Sequence, residues 1–188
     1  MNEGLGLVYE RFVLNDYLLS LLQRYPIRTV LEAPAYGMAG ITGINSLELA
    51  RAGCSVTVVD EDEDRIREAR EIWSKLNLQA NWVCCPGMKV LPFPDRTFDL
   101  AWEWAGLWHL EDAESLLREL ARVSRRLLFL AMPNPLQPGY ILRKHFLEPE
   151  FFKKVDEKWV SMKRIKEVVG REGFRLVEEG FLDTPPWP

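Results

Sequence analysis

TVLEAPAYGMAGITGINSLELARAGCSVTVVD, residues 29–60, reads as a strand, a glycine-containing loop, a short helix and a second strand ending in Asp60. A strand, a loop that lets backbone approach a ligand, and an acid at the next strand end are the parts that cradle a nucleoside-bearing molecule. The loop departs from the usual pattern, with Pro34 and Tyr36 where glycines are expected. Proline removes an N–H and fixes φ, so this loop must wrap a ligand in its own way. From Glu32 to Asp60 is 28 positions, against about 20 in the dinucleotide fingerprint. Gly37, Gly40 and Gly43 offer flexibility further along.

Outward from this stretch, strands alternate with helices. A helix with one broad apolar face is expected over 5–24, ended by Pro26. Asn45 and Glu48 have the spacing of a capping box, and Gly53 suits the end of that helix. Helices are expected over 62–76 and 112–123, with strands near 80–85 and 98–104 and a buried strand in RLLFLAM. Pro133, Pro135, Pro138 and Gly139 then break the chain before helical stretches near 140–154 and 161–171, and GFRLVEEGFL reads as a last strand. The pattern predicts an α/β fold with a mainly parallel sheet.

With 188 residues, 47% hydrophobic and 28% charged, the chain fits one domain, 1–188: an N-terminal helix (1–26), a core (27–135), and further helices with a last strand (136–188). No apolar run approaches the roughly 20 residues that span a bilayer, and the N-terminus lacks a signal-peptide order, so a cytoplasmic location is expected. Cys54, Cys84 and Cys85 suggest buried thiols rather than disulfides or a metal site. The net charge of −4 is uneven: residues 1–120 carry 11 basic and 19 acidic side chains, residues 121–188 carry 13 and 9. Net acidity argues against nucleic acid as a partner.

In order, VLEAPAYG (30–37), VTVVDED (56–62), LPFPDRTFDLAWEWAGLWHLED (91–112) and LLRELARVSRRLLFLAMPNP (116–135) resemble the motifs of class I S-adenosylmethionine-dependent methyltransferases. The likeness spans residues 29–135. LPFPDRTFDLAW followed by LWHLED is most similar to the small-molecule branch that includes quinone- and biotin-pathway enzymes. It implies a Rossmann-like, doubly wound sheet with helices on both faces, in which 27–135 is a cofactor-binding core and the helices of 136–188 are a lid. That family closes its sheet with an antiparallel hairpin, for which this chain has one strand-like segment, leaving an edge to be completed by a homo-oligomeric partner or not at all.

The resemblance also implies roles. Glu32 matches the acid before the glycine loop, and Ala33, Pro34, Tyr36 and Gly37 would lie against the cofactor's methionine part. Asp60, with Glu61 beside it, would hold the ribose, although an acid there equally suits a helix cap. Gly87 stands where the family places an acid near adenine, so the backbone of Gly87 and Met88 would line that slot. Glu103 matches the position beside the methionyl group, while Trp104, Trp108, His109 and Tyr140 are candidates for the acceptor's wall. Tryptophans in such a pattern also suit a core, and His109 also suits a structural place.

These residues suit methyl transfer from a sulfonium to a small-molecule acceptor, which needs alignment and no metal. Glu103 and Trp104 could offset positive charge, and His109 has the pKa of a general base. The competing reading is a non-catalytic, methyltransferase-like binding or scaffold protein with a weakened loop.

Overall fold

The computed structural model describes residues 5–36 and 43–182, with side chains from Tyr9 onward. Five strands form one sheet: β1 (Thr29–Glu32), β2 (Ser55–Asp60), β3 (Asn81–Cys84), β4 (Phe98–Trp104) and β5 (Ser124–Ala131). Their order is β3-β2-β1-β4-β5 and every pairing is parallel. The order reverses between β1 and β4, where the connections leave in opposite directions and open a crevice beyond the strands' carboxyl ends.

Each sheet face is covered because strands buried on both sides need apolar partners on both. On one face, Leu14, Leu18 and Leu21 of α1 (Leu5–Arg24), Leu49 of α2 (Leu47–Arg51) and Trp73 of α3 (Glu63–Lys75) pack against Val30, Val56, Val58, Leu100 and Trp102. On the other, Leu116, Leu117 and Leu120 of α4 (Ala113–Val123) and Ile165 and Val168 of α7 (Met162–Arg171) cover Leu31, Val59, Phe98 and Ala101. Phe98 and Ala101 share a face although three apart, because the strand bulges between Phe98 and Leu100. The bulge also sets Trp102 and Trp104 on the α1 side. Between β5 and α7 lie α5 (Pro138–Leu142), a π turn (Arg143–Leu147), α6 (Pro149–Phe152) and a 3₁₀ turn (Glu157–Val160).

Local chemistry fixes the helix starts. Asp62 caps α3 by accepting from the N–H groups of Asp64 and Arg65, and Asp112 caps α4 by accepting from Ser115. Asn45 and Glu48 form no capping box: Asn45 is buried in a 3₁₀ turn (Ile44–Ser46), and Ser46 precedes α2 without a side-chain cap. Phe12 of α1 is 65% exposed, so the apolar positions of this helix are not all buried. The thiols are free, with Cys54 and Cys85 half-buried and Cys84 exposed rather than buried.

The last expected strand does not form in the described part of GFRLVEEGFL. Paired apolar residues, Leu176 and Val177, are followed by paired acids that pull in different directions. Arg24 of α1 donates to Glu178 and Lys166 of α7 donates to Glu179. Among the described residues, no helix is long and apolar enough to cross a membrane.

The amino end of the sheet is tied by Asp99, whose side chain is buried. One carboxylate oxygen accepts from the N–H groups of Arg28 and Thr29 and from Thr29 Oγ1, the other from Arg125 and Arg126. Burial opposes its charge, but the Arg28 and Thr29 amides and Arg125 more than offset this and bring the carboxyl to about 2. Asp99→Asn is expected to cost about 2–4 kcal/mol at neutral pH. A folded pKa below the unfolded one stabilises above about pH 4 and is lost as pH falls toward 2. The wild-type advantage in urea unfolding should therefore narrow between pH 5 and pH 3.

Candidate ligand site at the carboxyl end of the sheet

Three neighbouring parallel strands place acids at their carboxyl ends: Glu32 on β1, Asp60 on β2 and Glu103 on β4. All three are buried, at 2%, 0% and 0% exposure. Glu32 accepts from Ser46 Oγ at 2.5 Å. Burial pushes its carboxyl up to about 8, against the opposing hydrogen bonds of Ser46 and Asn45. Glu103 is likewise raised to about 8 by burial; one of its oxygens accepts from the Gly106 N–H at 2.8 Å, and Oε1 has no protein partner.

Asp60 is asymmetric. Its Oδ1 accepts from the Asp62 N–H at 3.0 Å and from Arg65 Nε and Nη2 at 2.9 and 2.6 Å. Its Oδ2 is buried and accepts nothing from the protein. Glu61, next in sequence, is exposed, 3.8 Å from the Arg65 guanidinium. Cys85 N–H donates to the Asp60 carbonyl, starting a turn in which Gly87 (φ 69°) and Met88 (φ 44°) both take left-handed conformations. The Gly87 and Met88 backbone thus sits beside the end of β2, while the Met88 side chain is buried in the α4-side core.

The loop after β1 stays in the sheet rather than looping away. Ala33 N–H bonds the Trp102 carbonyl at 3.1 Å and Ala35 N–H bonds the Val59 carbonyl at 2.9 Å, so the chain runs on between β2 and β4. Ala33, Pro34 and Ala35 are buried and Tyr36 emerges at the surface. Pro34 packs on Gly106 so closely that a Cβ there would lie 2.2 Å from Pro34 Cγ. Only glycine fits at 106, a requirement with no mark in the sequence. Gly37 lies outside the described residues.

An aromatic wall faces this loop. His109 meets the Tyr36 ring edge-on at 5.3 Å, the Trp108 ring at 5.5 Å and Phe151 at 5.9 Å. Trp108 stacks with Tyr140 at 6.4 Å and is buried, as the core alternative for it required. The Tyr140 hydroxyl donates to Glu157, which also accepts from Lys144. Burial and then the nearby Arg65 charge lower the His109 pKa, leaving a neutral imidazole at pH 7. Trp102 is wholly buried on the α1 side.

The structure therefore sorts the expected residues into two groups. Tyr36, Trp104, Trp108, His109 and Tyr140 border a cavity of about 1570 Å³ that follows the outer edge of β5 toward residues 174–182. Glu32, Asp60 and Glu103 lie apart from that cavity, in a crevice closed over by the β1 loop and the Arg65 side chain. Arg65 carries the feature that sequence reading missed. Its guanidinium stacks on the Tyr36 ring at 4.6 Å, linking the β2 acid to the aromatic wall. Among the described residues, no group of three or more His, Cys, Asp or Glu side chains is placed to hold a metal ion.

Residues 38–126 match the family model of a methyltransferase domain. A demethylmenaquinone methyltransferase of Corynebacterium urealyticum is 30% identical over 106 residues, which is 55% of this chain and 43% of that protein. The chain thus spans less than half the length of the curated relative it matches. Magnesium protoporphyrin IX methyltransferase from Synechocystis, solved with bound S-adenosylmethionine, shares the fold: TM-score 0.68 at 16% identity, covering 100% of this chain and 82% of that one. A Pyrococcus horikoshii protein is 26% identical over 61% of this chain and 54% of its own, with TM-score 0.50. Residues 38–126 are thus similar in sequence to a methyltransferase domain, and the chain as a whole has the fold of a solved methyltransferase.

Proposed function

We propose that the chain binds S-adenosylmethionine at the crevice between β1, β2 and β4 and methylates a small molecule seated against the Trp104, Trp108, His109 and Tyr140 wall. The observation that carries this is the buried Asp60 Oδ2, a carboxylate oxygen without a donor at the end of β2. An unpartnered buried acceptor is costly, and a ribose hydroxyl is a donor of the right kind. Glu103 Oε1 is a second buried oxygen without a partner, at the end of β4. The residues present therefore fit the cofactor that the family implies.

Bound S-adenosylmethionine would supply an electrophilic methyl group on a positively charged sulfur. The remaining chemistry belongs to the chain. Asp60 would hold the ribose, and the backbone of Gly87 and Met88 would line the adenine side. Ala33, Pro34 and Tyr36, with Glu32 behind them, would border the methionine part. Glu103 is protonated at neutral pH in the free protein and would ionise next to a cation, offsetting its charge in a water-poor place. His109, neutral at pH 7, would take the proton from an acceptor O–H or N–H, and the rings around it would exclude water. We place the protein in the cytoplasm and, from its acidity, away from nucleic acid.

The second reading, a methyltransferase-like binding or scaffold protein, draws on the closed crevice around Asp60. Calorimetric titration separates the two: millimolar S-adenosylmethionine producing no heat would remove the enzyme. Asp60→Ala should weaken S-adenosylmethionine by 10- to 150-fold, the loss of about 1.5–3 kcal/mol of charge-assisted hydrogen bonding; unchanged affinity in a folded variant would displace the ribose from Asp60.

Proton linkage gives an independent check. An acid raised in the folded state stabilises fully only below its unfolded value, and that stability declines as pH rises toward about 8. A cation that ionises Glu103 must release a proton at pH 7. Binding heats of S-adenosylmethionine should thus depend on buffer ionisation enthalpy, those of uncharged S-adenosylhomocysteine much less. Glu103→Gln should abolish the difference and raise the melting temperature at pH 8 more than at pH 5.

A further inference from the structure

The Arg65 guanidinium lies among three carboxylates. It donates through Nε and Nη2 to Asp60 Oδ1, with the Tyr36 ring against its face. From that same position its guanidinium is 3.8 Å from Glu61 Oε1 and 3.7 Å from Asp62 Oδ2, both on exposed or half-exposed side chains. A guanidinium leaving Asp60 would still find carboxylates, so release costs less than the loss of a lone ion pair. Arg65 is itself 30% exposed, at the outer rim of a carboxylate that is 0% exposed.

That placement spans the crevice. Asp60, Arg65, Tyr36 and His109 form a continuous line of contacts from the end of β2 to the turn after β4. Behind the line, Asp60 keeps its second oxygen unpartnered and Pro34 is pressed onto Gly106. With this line intact Asp60 is 0% exposed, and Arg65 occupies its Oδ1.

We propose that Arg65 is an affinity-determining residue of the crevice: it competes with ligand hydroxyl groups for Asp60, and Tyr36 holds it in the competing position. This rests on the reading of Asp60 as a ribose-binding acid. The ligand binds when Arg65 turns to Glu61 and Asp62, which frees Asp60 and lets the 33–36 loop part from its neighbours. Affinity is then the intrinsic affinity reduced by the closed fraction.

Arg65→Gln tests this, read by S-adenosylhomocysteine calorimetry and by hydrogen exchange of the Ala35 amide, bonded to Val59 in the closed state. The expected result is roughly 5- to 50-fold tighter binding together with faster exchange in the unliganded protein. Arg65→Lys keeps the charge beside Asp60 but loses the flat face that stacks on Tyr36. It should fall between wild type and Arg65→Gln in both readouts and guards against a folding defect. Unchanged exchange in both variants overturns the closure. Faster exchange with equal or weaker binding overturns the competition and makes Arg65 a ligand contact or a plain structural tie. Faster exchange with no binding by wild type or either variant, even at millimolar ligand, overturns the ribose reading of Asp60 itself.

Discussion

The burial of three carboxyl groups at the ends of adjacent parallel strands is the constraint on which the rest of this molecule turns. Parallel pairing brings Glu32, Asp60 and Glu103 to one edge of the sheet, and the covering helices and the β1 loop remove them from water. A buried acid must be neutral, paired or hydrogen-bonded. The three meet that demand in two ways. Glu32 and Glu103 rise to about 8 and hold their protons, while Asp60 takes Arg65. Neither Asp60 nor Glu103 is fully satisfied, each keeping one bare oxygen. A fold with no use for that edge would gain stability by replacing these acids with apolar side chains.

The opposite end of the sheet shows what a purely structural acid looks like. Asp99 accepts from two backbone amides, a hydroxyl and two guanidinium groups, so both its oxygens are engaged. The contrast with Asp60, where one oxygen has three donors and the other none, argues that the carboxyl end is built for something the protein does not itself contain. Gly106 points the same way: a backbone without a side chain is needed there because the loop comes so close.

Much of this was legible in the sequence, for definable reasons. Strand and helix positions follow from apolar periodicity and from Pro26, Pro133 and Pro138, and the strand-end acids follow from where those strands stop. What escaped depended on contacts that periodicity does not encode. Arg65 sits in the first turn of α3 and reaches back past its own cap to a strand-end acid, a pairing that helical spacing rules do not describe. The capping pair Asn45 and Glu48 failed because the chain enters α2 through a 3₁₀ turn that buries Asn45. The last strand does not form, and the segment is held instead by ion pairs from Glu178 to Arg24 and from Glu179 to Lys166. Gly37, where the loop's glycines begin, lies outside the described residues.

The altered loop then has a mechanical meaning. A glycine-rich connection would leave the strand end and give backbone N–H groups to a ligand. Here Pro34 offers none, and the amides of Ala33 and Ala35 are spent on β4 and β2. Residues 33–36 extend β1 and stabilise the sheet at the expense of an open crevice. With the Ala33 and Ala35 amides spent in this way, Asp60 and Glu103 are the two strand-end acids that retain an unpartnered oxygen. The affinity of the crevice is thereby tied to side chains that the protein itself can occupy, and Arg65 is the cation placed to occupy one of them.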